Sequence, residues 1–183
     1  LAGGSVIGRD HRMVGKNNQD SFHWESEGDF LVGFVADGCG DSIDSPHSEV
    51  GSQIGVHLAT KTVLDNLKRF RNIETQRFWD KVLYETAFQI RTIAEGMGKN
   101  LSEVIRQYFL FTLVGVVITP ETTVFVALGD GVVVINGVIS VLGPYPNNMP
   151  PYLGYNLVET SIDPSLTKFF VLETLKTATL DSF

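Results

Sequence analysis

The sequence is poor in cysteine and in positive charge. Its 183 residues include one cysteine, Cys39, which excludes an internal disulfide bond and a zinc site made of several cysteines. We therefore expect a reducing, cytoplasmic compartment. The 14 basic residues are outnumbered by 21 acidic ones, which gives a net charge of −7. A chain with this charge is a poor general ligand for nucleic acid or anionic membranes, so we expect neither as a partner.

Long apolar runs and several common catalytic signatures are absent as well. The longest apolar runs, Leu113–Ile118 and Val132–Ile135, have the length of strands, far short of the ~20 residues that cross a bilayer. The sequence contains no Walker A motif, no Gly-x-Gly-x-x-Gly and no Gly-x-Ser-x-Gly. Cys39 lacks the arginine six residues later that a tyrosine-phosphatase loop requires. No two of the histidines have the sequence spacing of a metal-binding pair: His11, His23, His47 and His57.

The residues that are present indicate a folded domain of mixed helix and strand. Hydrophobic residues make up 43% of the chain, and no linker divides it, so we expect residues 1–183 to form a single domain. The dipeptide Asn136-Gly137 predicts a two-residue hairpin turn. Runs rich in Val, Ile, Phe and Thr predict strands at residues 5–9, 30–36, 111–119, 123–129, 132–136, 138–142, 157–162 and 169–172.

Apolar residues at helical spacing predict three helices between the second and third of these strands. The first helix begins at about Ser48, and the second runs from about Glu74 to Glu95. Asn100, with Glu103 three residues later, predicts the cap of the third. Consecutive hairpins imply antiparallel pairing, and helices segregated from strands imply an α+β fold.

The clearest candidate for chemistry is the segment Val35-Ala36-Asp37-Gly38, at the end of an apolar strand. The strand fixes the Asp37 carboxylate, and the glycine leaves a backbone carbonyl free to bind a cation. Hard cations such as Mg²⁺ and Mn²⁺ prefer oxygen ligands of this kind. An ordinary Asp-Gly turn explains the same four residues, so the segment alone does not decide between the two interpretations.

Three further segments carry polar residues, and each has a simple structural explanation. Asn18-Gln19-Asp20 is typical of an Asx-turn, and Ser48-Glu49-Val50-Gly51-Ser52 is typical of a helix cap. Leu128-Gly129-Asp130-Gly131 is typical of a hairpin turn between two apolar strands. Taken together and in this order, however, the four segments resemble the metal-dependent protein phosphatases of the type 2C family. The resemblance covers about residues 5–172.

The resemblance implies a fold, an activity and a set of ligands. The fold is a sandwich of two antiparallel β-sheets flanked by helices, with metal ions at one end. The activity is hydrolysis of phosphoserine and phosphothreonine in proteins by a water that two Mn²⁺ or Mg²⁺ ions activate. By resemblance, Asp37 is the ligand that bridges the two ions, Gly38 is a carbonyl ligand, and Asp20 is a ligand or holds a metal-bound water.

The sequence departs from the family pattern around these ligands. Gly15 stands where the family usually has an arginine that holds the phosphate, and Lys16 and Arg12 are the candidate substitutes. Gln19 stands where glutamate is frequent, so one negative charge is absent. His47, in the loop after the acidic segment, is a candidate proton donor, and a surface histidine is the simpler interpretation.

Two further aspartates of the family have no counterpart in this sequence. The family carries them late in the domain, in an Asp-Gly and an Asp-Asn, and neither dipeptide occurs after Gly131. We therefore expect the N-terminal part of a type 2C domain that lacks its C-terminal strands, with an exposed sheet edge that invites pairing with another chain. The alternative is a catalytically degenerate relative that binds or regulates a partner.

Overall fold

The three longest helices fall between two groups of strands in the chain. The computed structural model describes residues 2–13, 15–40, 45–70, 72–158, 163 and 165–183. The elements are α1 (Arg9–Met13), β1 (Ser21–Glu27), β2 (Phe30–Ala36), α2 (Ser48–Leu67), α3 (Gln76–Met97), α4 (Leu101–Tyr108), β3 (Leu113–Ile118), β4 (Thr122–Leu128), β5 (Gly131–Ile135), β6 (Val138–Leu142) and β7 (Phe170–Lys176). Short 3₁₀ turns lie at Pro146–Asn148, Leu153–Asn156 and Thr177–Thr179. None of the helices in these ranges is long and apolar enough to cross a membrane.

The strands form two antiparallel sheets. Five strands pair in the order β1-β2-β3-β4-β7, and β5 pairs with β6 in a second sheet. Asn136 and Gly137, which join β5 to β6, have φ angles of 48° and 80°. Positive φ at both central residues is the geometry of a tight hairpin turn, so the predicted turn is confirmed. The predicted α+β class is confirmed as well.

The two faces of the five-stranded sheet are covered differently. The helices α2 and α3 cover one face, and the main core lies between them and β2, β3 and β4. On the other face, Val133 of β5 packs with Val116 and Phe125. The two sheets therefore lie face to face, and α2 and α3 flank them on one side.

Local sequence signals account well for the helices. The predicted apolar stripe of α3 is buried along its whole length: Trp79, Leu83, Ala87, Ile90 and Ala94. The side chain of Asn100 accepts a hydrogen bond from the Glu103 N–H at 3.3 Å, so the predicted cap of α4 is confirmed. The predicted boundaries of α2, α3 and α4 differ from the observed ones by a few residues at most, whereas α1 was not predicted.

Two of the strand predictions need correction. Residues 5–8 have no regular structure and Arg9 begins α1, so the predicted strand at 5–9 is wrong. The first strand is β1, whose helix-facing side carries Ser21, His23 and Glu25 in place of apolar residues, which hid it from the hydrophobic pattern. The strand predicted at 157–162 lies largely outside the described residues, and its first two residues form a bend.

Candidate metal site

Three aspartates lie at one end of the five-stranded sheet. Asp20 directly precedes β1, Asp37 directly follows β2, and Asp130 comes two residues after β4 ends. Neighbouring strands are antiparallel, and Ser21 lies opposite Ala36. The start of β1 and the ends of β2 and β4 therefore lie at the same end of the sheet. This brings three carboxylates together, and they are called the acidic site below.

The Asp20 carboxyl lies within hydrogen-bonding reach of the Asp37 carboxyl. Asp37 remains open to solvent at the end of the sheet, but the atoms around its carboxyl remove enough water to disfavour the charged form. This desolvation, the charge and hydrogen bond of Asp20, and the charge of Asp130 raise the pKa of Asp37 from its ordinary 3.8 to about 7. Carboxylates that repel each other in this way favour the binding of a cation.

Gly38 lies in a space that admits no side chain. Its N–H donates to the Gln19 carbonyl at 3.2 Å. A Cβ atom at Gly38 would lie 2.9 Å from the Ser48 Oγ and 3.0 Å from the Gln19 carbonyl oxygen. The preceding carbonyl, of Asp37, accepts the Thr112 N–H at 2.9 Å. The Asp-Gly backbone is thus fixed between the turn before β1, the start of α2 and the segment before β3.

Two serines of α2 hold the loops that carry the aspartates. The Ser48 hydroxyl donates to the Cys39 carbonyl at 3.0 Å, and the Ser52 hydroxyl donates to the Gln19 carbonyl at 2.6 Å. The helix is preceded by His47, and no side chain caps it. The interpretation of this segment as a helix cap is therefore wrong, because its hydroxyls bind backbone carbonyls of neighbouring loops.

The turn before β1 combines an Asx-turn with a buried glutamine. The Asp20 N–H donates to the Asn18 Oδ1 at 3.3 Å, so the predicted Asx-turn is confirmed. The Gln19 residue is 5% exposed, and its Nε2 donates to the Cys39 carbonyl at 3.5 Å. Its Oε1 has no hydrogen-bond partner among the described residues. Gln19 therefore adds an amide, and no charge, behind the acidic site.

The two candidate phosphate-binding residues differ in position. The Lys16 Nζ donates to the Gly40 carbonyl at 2.6 Å, so its charge lies at the loop that follows Asp37. Arg12 is exposed on α1, and no contact within the described ranges joins it to the aspartates. The structure therefore brings Lys16 toward the acidic site and gives no such support to Arg12.

His47 is an exposed residue whose ring has another partner. The ring stacks on Tyr108 with centroids 5.0 Å apart, and the His47 N–H donates to the Gln107 carbonyl at 3.1 Å. In the part of the chain that the structure describes, no contact joins it to Asp37. Asp41, four residues after Asp37 in the sequence, lies outside the described residues.

Asp130 is the acidic residue whose role the sequence analysis missed. The segment Gly129-Asp130-Gly131 does not join paired strands, because β4 and β5 belong to different sheets, so the predicted hairpin turn is wrong. The segment carries the chain from one sheet to the other and leaves Asp130 at the acidic site. The Tyr145 hydroxyl donates to the Gly129 carbonyl at 3.4 Å, and burial followed by the Asp130 charge raises the pKa of Tyr145.

Comparison with known families extends the observations on the site. Residues 7–147, more than half of the chain, match the family model described as Protein phosphatase 2C. The matched range includes all three aspartates of the acidic site. A search of curated proteins finds no match to the chain. The family match confirms the resemblance carried by the four sequence segments.

Proposed function

The chain belongs to the protein phosphatase 2C family, and on that premise we propose that it acts as a metal-dependent phosphatase on phosphoserine and phosphothreonine in proteins. The observation that carries this proposal is the convergence of Asp20, Asp37 and Asp130 at one end of the five-stranded sheet. Carboxylate oxygens are the donors that Mg²⁺ and Mn²⁺ prefer, so the residues present fit these ions.

The residues of the acidic site have different proposed roles in binding metal and phosphate. We propose that Asp37 bridges two ions, that the Gly38 carbonyl binds one of them, and that Asp20 binds an ion or its water. Bound Mn²⁺ or Mg²⁺ supplies charge for the phosphoryl group and lowers the pKa of a bound water. Lys16 is the proposed phosphate-binding cation, because its amine lies at the loop after Asp37.

The chain itself contributes a preorganised frame. The backbone around Asp37 is held by hydrogen bonds from Thr112 and Gly38, and the serines of α2 fasten both loops. A frame fixed before the substrate arrives lowers the cost of ordering the site during the reaction. This arrangement supports catalysis at the end of the sheet that carries the three aspartates.

A second function is favoured by two specific residues. Gly15 has a φ of +70°, which disfavours any other residue at the position where the family usually holds phosphate with arginine. Gln19 is buried and neutral. These features support the second function, in which the chain binds a partner and no longer hydrolyses phosphate esters.

One activity assay separates the two functions. Hydrolysis of a phosphothreonine peptide is measured with and without Mn²⁺. Three proteins are compared: the 183-residue chain, the full-length natural protein, and the full-length natural protein with Asp37→Asn. The proposal predicts Mn²⁺-dependent hydrolysis that Asp37→Asn abolishes. Asp29→Asn is the matched control, because Asp29 is exposed in the turn at the opposite end of β1 and β2.

Other outcomes of this assay contradict or refine the proposal. A natural protein that is folded and shows no Mn²⁺-dependent hydrolysis contradicts the phosphatase proposal and favours the binding module. Activity that appears only in an extended protein supports the phosphatase as well. Activity that survives Asp37→Asn contradicts the assignment of Asp37.

A further inference from the structure

A group of potential metal ligands lies on the helix-covered face of the sheet, apart from the three aspartates. It consists of His23 and Glu25 of β1 and His57 of α2, and is called the histidine cluster below. The His23 and His57 rings have centroids 3.7 Å apart, and the His23 Nε2 lies 2.8 Å from the Glu25 Oε1. One ligand atom from each residue lies within 4.8 Å of the other two. The cluster takes no part in the proposed hydrolysis.

The fold places these side chains together. Residues two apart on a strand share a face, so His23 and Glu25 both point to the α2 side of β1. The side chains on either side of the cluster fix the helix against the strand: Ser21 and Ser52 hydroxyls lie 3.0 Å apart, and the Lys68 Nζ lies 2.9 Å from the Glu27 Oε2. His57 therefore meets His23 through the regular packing of α2 on β1.

The donor set indicates a particular class of cation. Two imidazoles and one carboxylate suit Zn²⁺ and similar first-row transition ions, whereas the oxygen-only acidic site suits Mg²⁺ or Mn²⁺. Two ligand atoms of a tetrahedral Zn²⁺ lie about 3.4 Å apart, so a small rotation of these side chains closes the cluster around one ion. His23 is half-buried, and His57 and Glu25 are exposed, so an ion can enter from solvent.

We propose that His23, Glu25 and His57 form a second metal site, which binds one Zn²⁺ ion and leaves its fourth position to water. Zn²⁺ there cross-links the edge strand β1 to α2. The same strand begins directly after Asp20, and the same helix holds the Gln19 carbonyl through Ser52. Zn²⁺ binding therefore strengthens the frame of the acidic site without contributing to the chemistry.

The test is a Zn²⁺ titration of the chain against a chromophoric chelator, in millimolar Mg²⁺ to occupy the carboxylate site. We expect one Zn²⁺ per chain, and a rise in the unfolding temperature on binding. His57→Gln and His23→Gln are each expected to weaken Zn²⁺ binding about tenfold or more. Mutation of a residue that only hydrogen-bonds a metal ligand already lowers metal affinity by that much. Co²⁺ in place of Zn²⁺ is expected to give a visible absorption band that both variants lose.

The control is His47→Gln, which removes an exposed histidine outside the cluster. It is expected to leave Zn²⁺ affinity and the Co²⁺ band unchanged, and the unfolding temperature of each variant without metal checks its folding. Equal Zn²⁺ affinity in the wild-type chain and in folded His57→Gln overturns the proposal, as does equal weakening by His47→Gln. Loss of Zn²⁺ binding in Asp37→Asn would assign the ion to the acidic site and also overturn it.

Discussion

The hydroxyl of Ser52 donates a hydrogen bond of 2.6 Å to the carbonyl oxygen of Gln19. The same carbonyl accepts the Gly38 N–H at 3.2 Å. One oxygen atom therefore connects α2, the turn that carries Asp20 and the loop that carries Asp37. The relative position of the two aspartates depends on this buried atom as well as on the strands that they flank.

Ser52→Ala is expected to destabilise the chain by about 1–3 kcal/mol, because it removes a buried partner and leaves the Gln19 carbonyl with one fewer donor. The measurement is the free energy of unfolding in urea. Ser26→Ala, at an exposed position of β1, is the matched control, with an expected change within about 0.5 kcal/mol. Equal stability of the two variants would contradict the role given to Ser52.

Asp37→Asn is expected to stabilise the metal-free chain at pH 8. The pKa of Asp37 is about 7 in the folded chain against an ordinary 3.8, so between these values the folded chain retains a proton that the unfolded chain releases. The free energy of unfolding therefore falls as pH rises from about 4 to about 7. Asparagine removes this loss. Because Asp37 is open to solvent, which screens most of the effect, we expect the unfolding temperature at pH 8 to rise by about 2 °C.

The pH profile distinguishes this effect from a general change of charge. The difference in unfolding temperature between the wild type and Asp37→Asn should grow from pH 4 to pH 7, with chelator present throughout. Asp29→Asn removes the same charge at the opposite end of the strands, and its effect should vary little over this range. A lower unfolding temperature for Asp37→Asn at pH 8 would show that Asp37 is not strained by its neighbours.

Gly38→Ala and Gly96→Ala are expected to act in opposite directions. The new Cβ at Gly38 would lie 2.9 Å from the Ser48 Oγ and 3.0 Å from the Gln19 carbonyl, so we expect a loss of about 1–3 kcal/mol. Gly96 lies in the last turn of α3, and a Cβ atom added there would have no neighbouring atom within 4 Å. Alanine at this position should therefore stabilise the chain by up to about 1 kcal/mol. Urea unfolding of both variants measures this, and a stabilising Gly38→Ala would refute the close packing of the loop.

We expect the chain to self-associate through β6. Val138, Ile139 and Val141 are 68%, 66% and 67% exposed on a strand that pairs only with β5 among the described strands. An apolar strand with an open edge invites pairing with another copy of the chain. Sedimentation velocity at high concentration should show dimers or larger species, which Ile139→Lys reduces. Tyr84→Lys, which adds the same charge at an exposed position of α3, should not reduce them.

The sequence predicts the fold well where local patterns dominate. The stripe of α3, the Asn100 cap and the Asn136-Gly137 turn depend on neighbours a few residues away, and all three are present. β1 was missed because the side that faces α2 is polar, with His23 and Glu25 where a buried strand usually has aliphatic residues. The opposite face carries Phe22 and Trp24, but two alternating aromatic residues are a weaker signal than the continuous apolar runs of β2 and β4.

The candidate site was predictable in part. The end of an apolar strand located Asp37, and the order of motifs joined it to Asp20. Asp130 was missed because a Gly-Asp-Gly between two strands looks the same whether the strands pair or belong to different sheets. Likewise, His23 and His57 lie 34 positions apart in the sequence, so no local spacing could indicate that β1 and α2 bring their rings together.

The most direct test of the central claim is Mn²⁺ binding, measured from the electron paramagnetic resonance signal of free Mn²⁺ during titration of the chain. The acidic site predicts saturable binding that Asp37→Asn weakens about tenfold or more, as expected when a metal ligand is removed. Asp29→Asn should bind Mn²⁺ as the wild type does. Equal Mn²⁺ affinity in the wild type and in Asp37→Asn would contradict the account, because Asp37 would then not be a metal ligand.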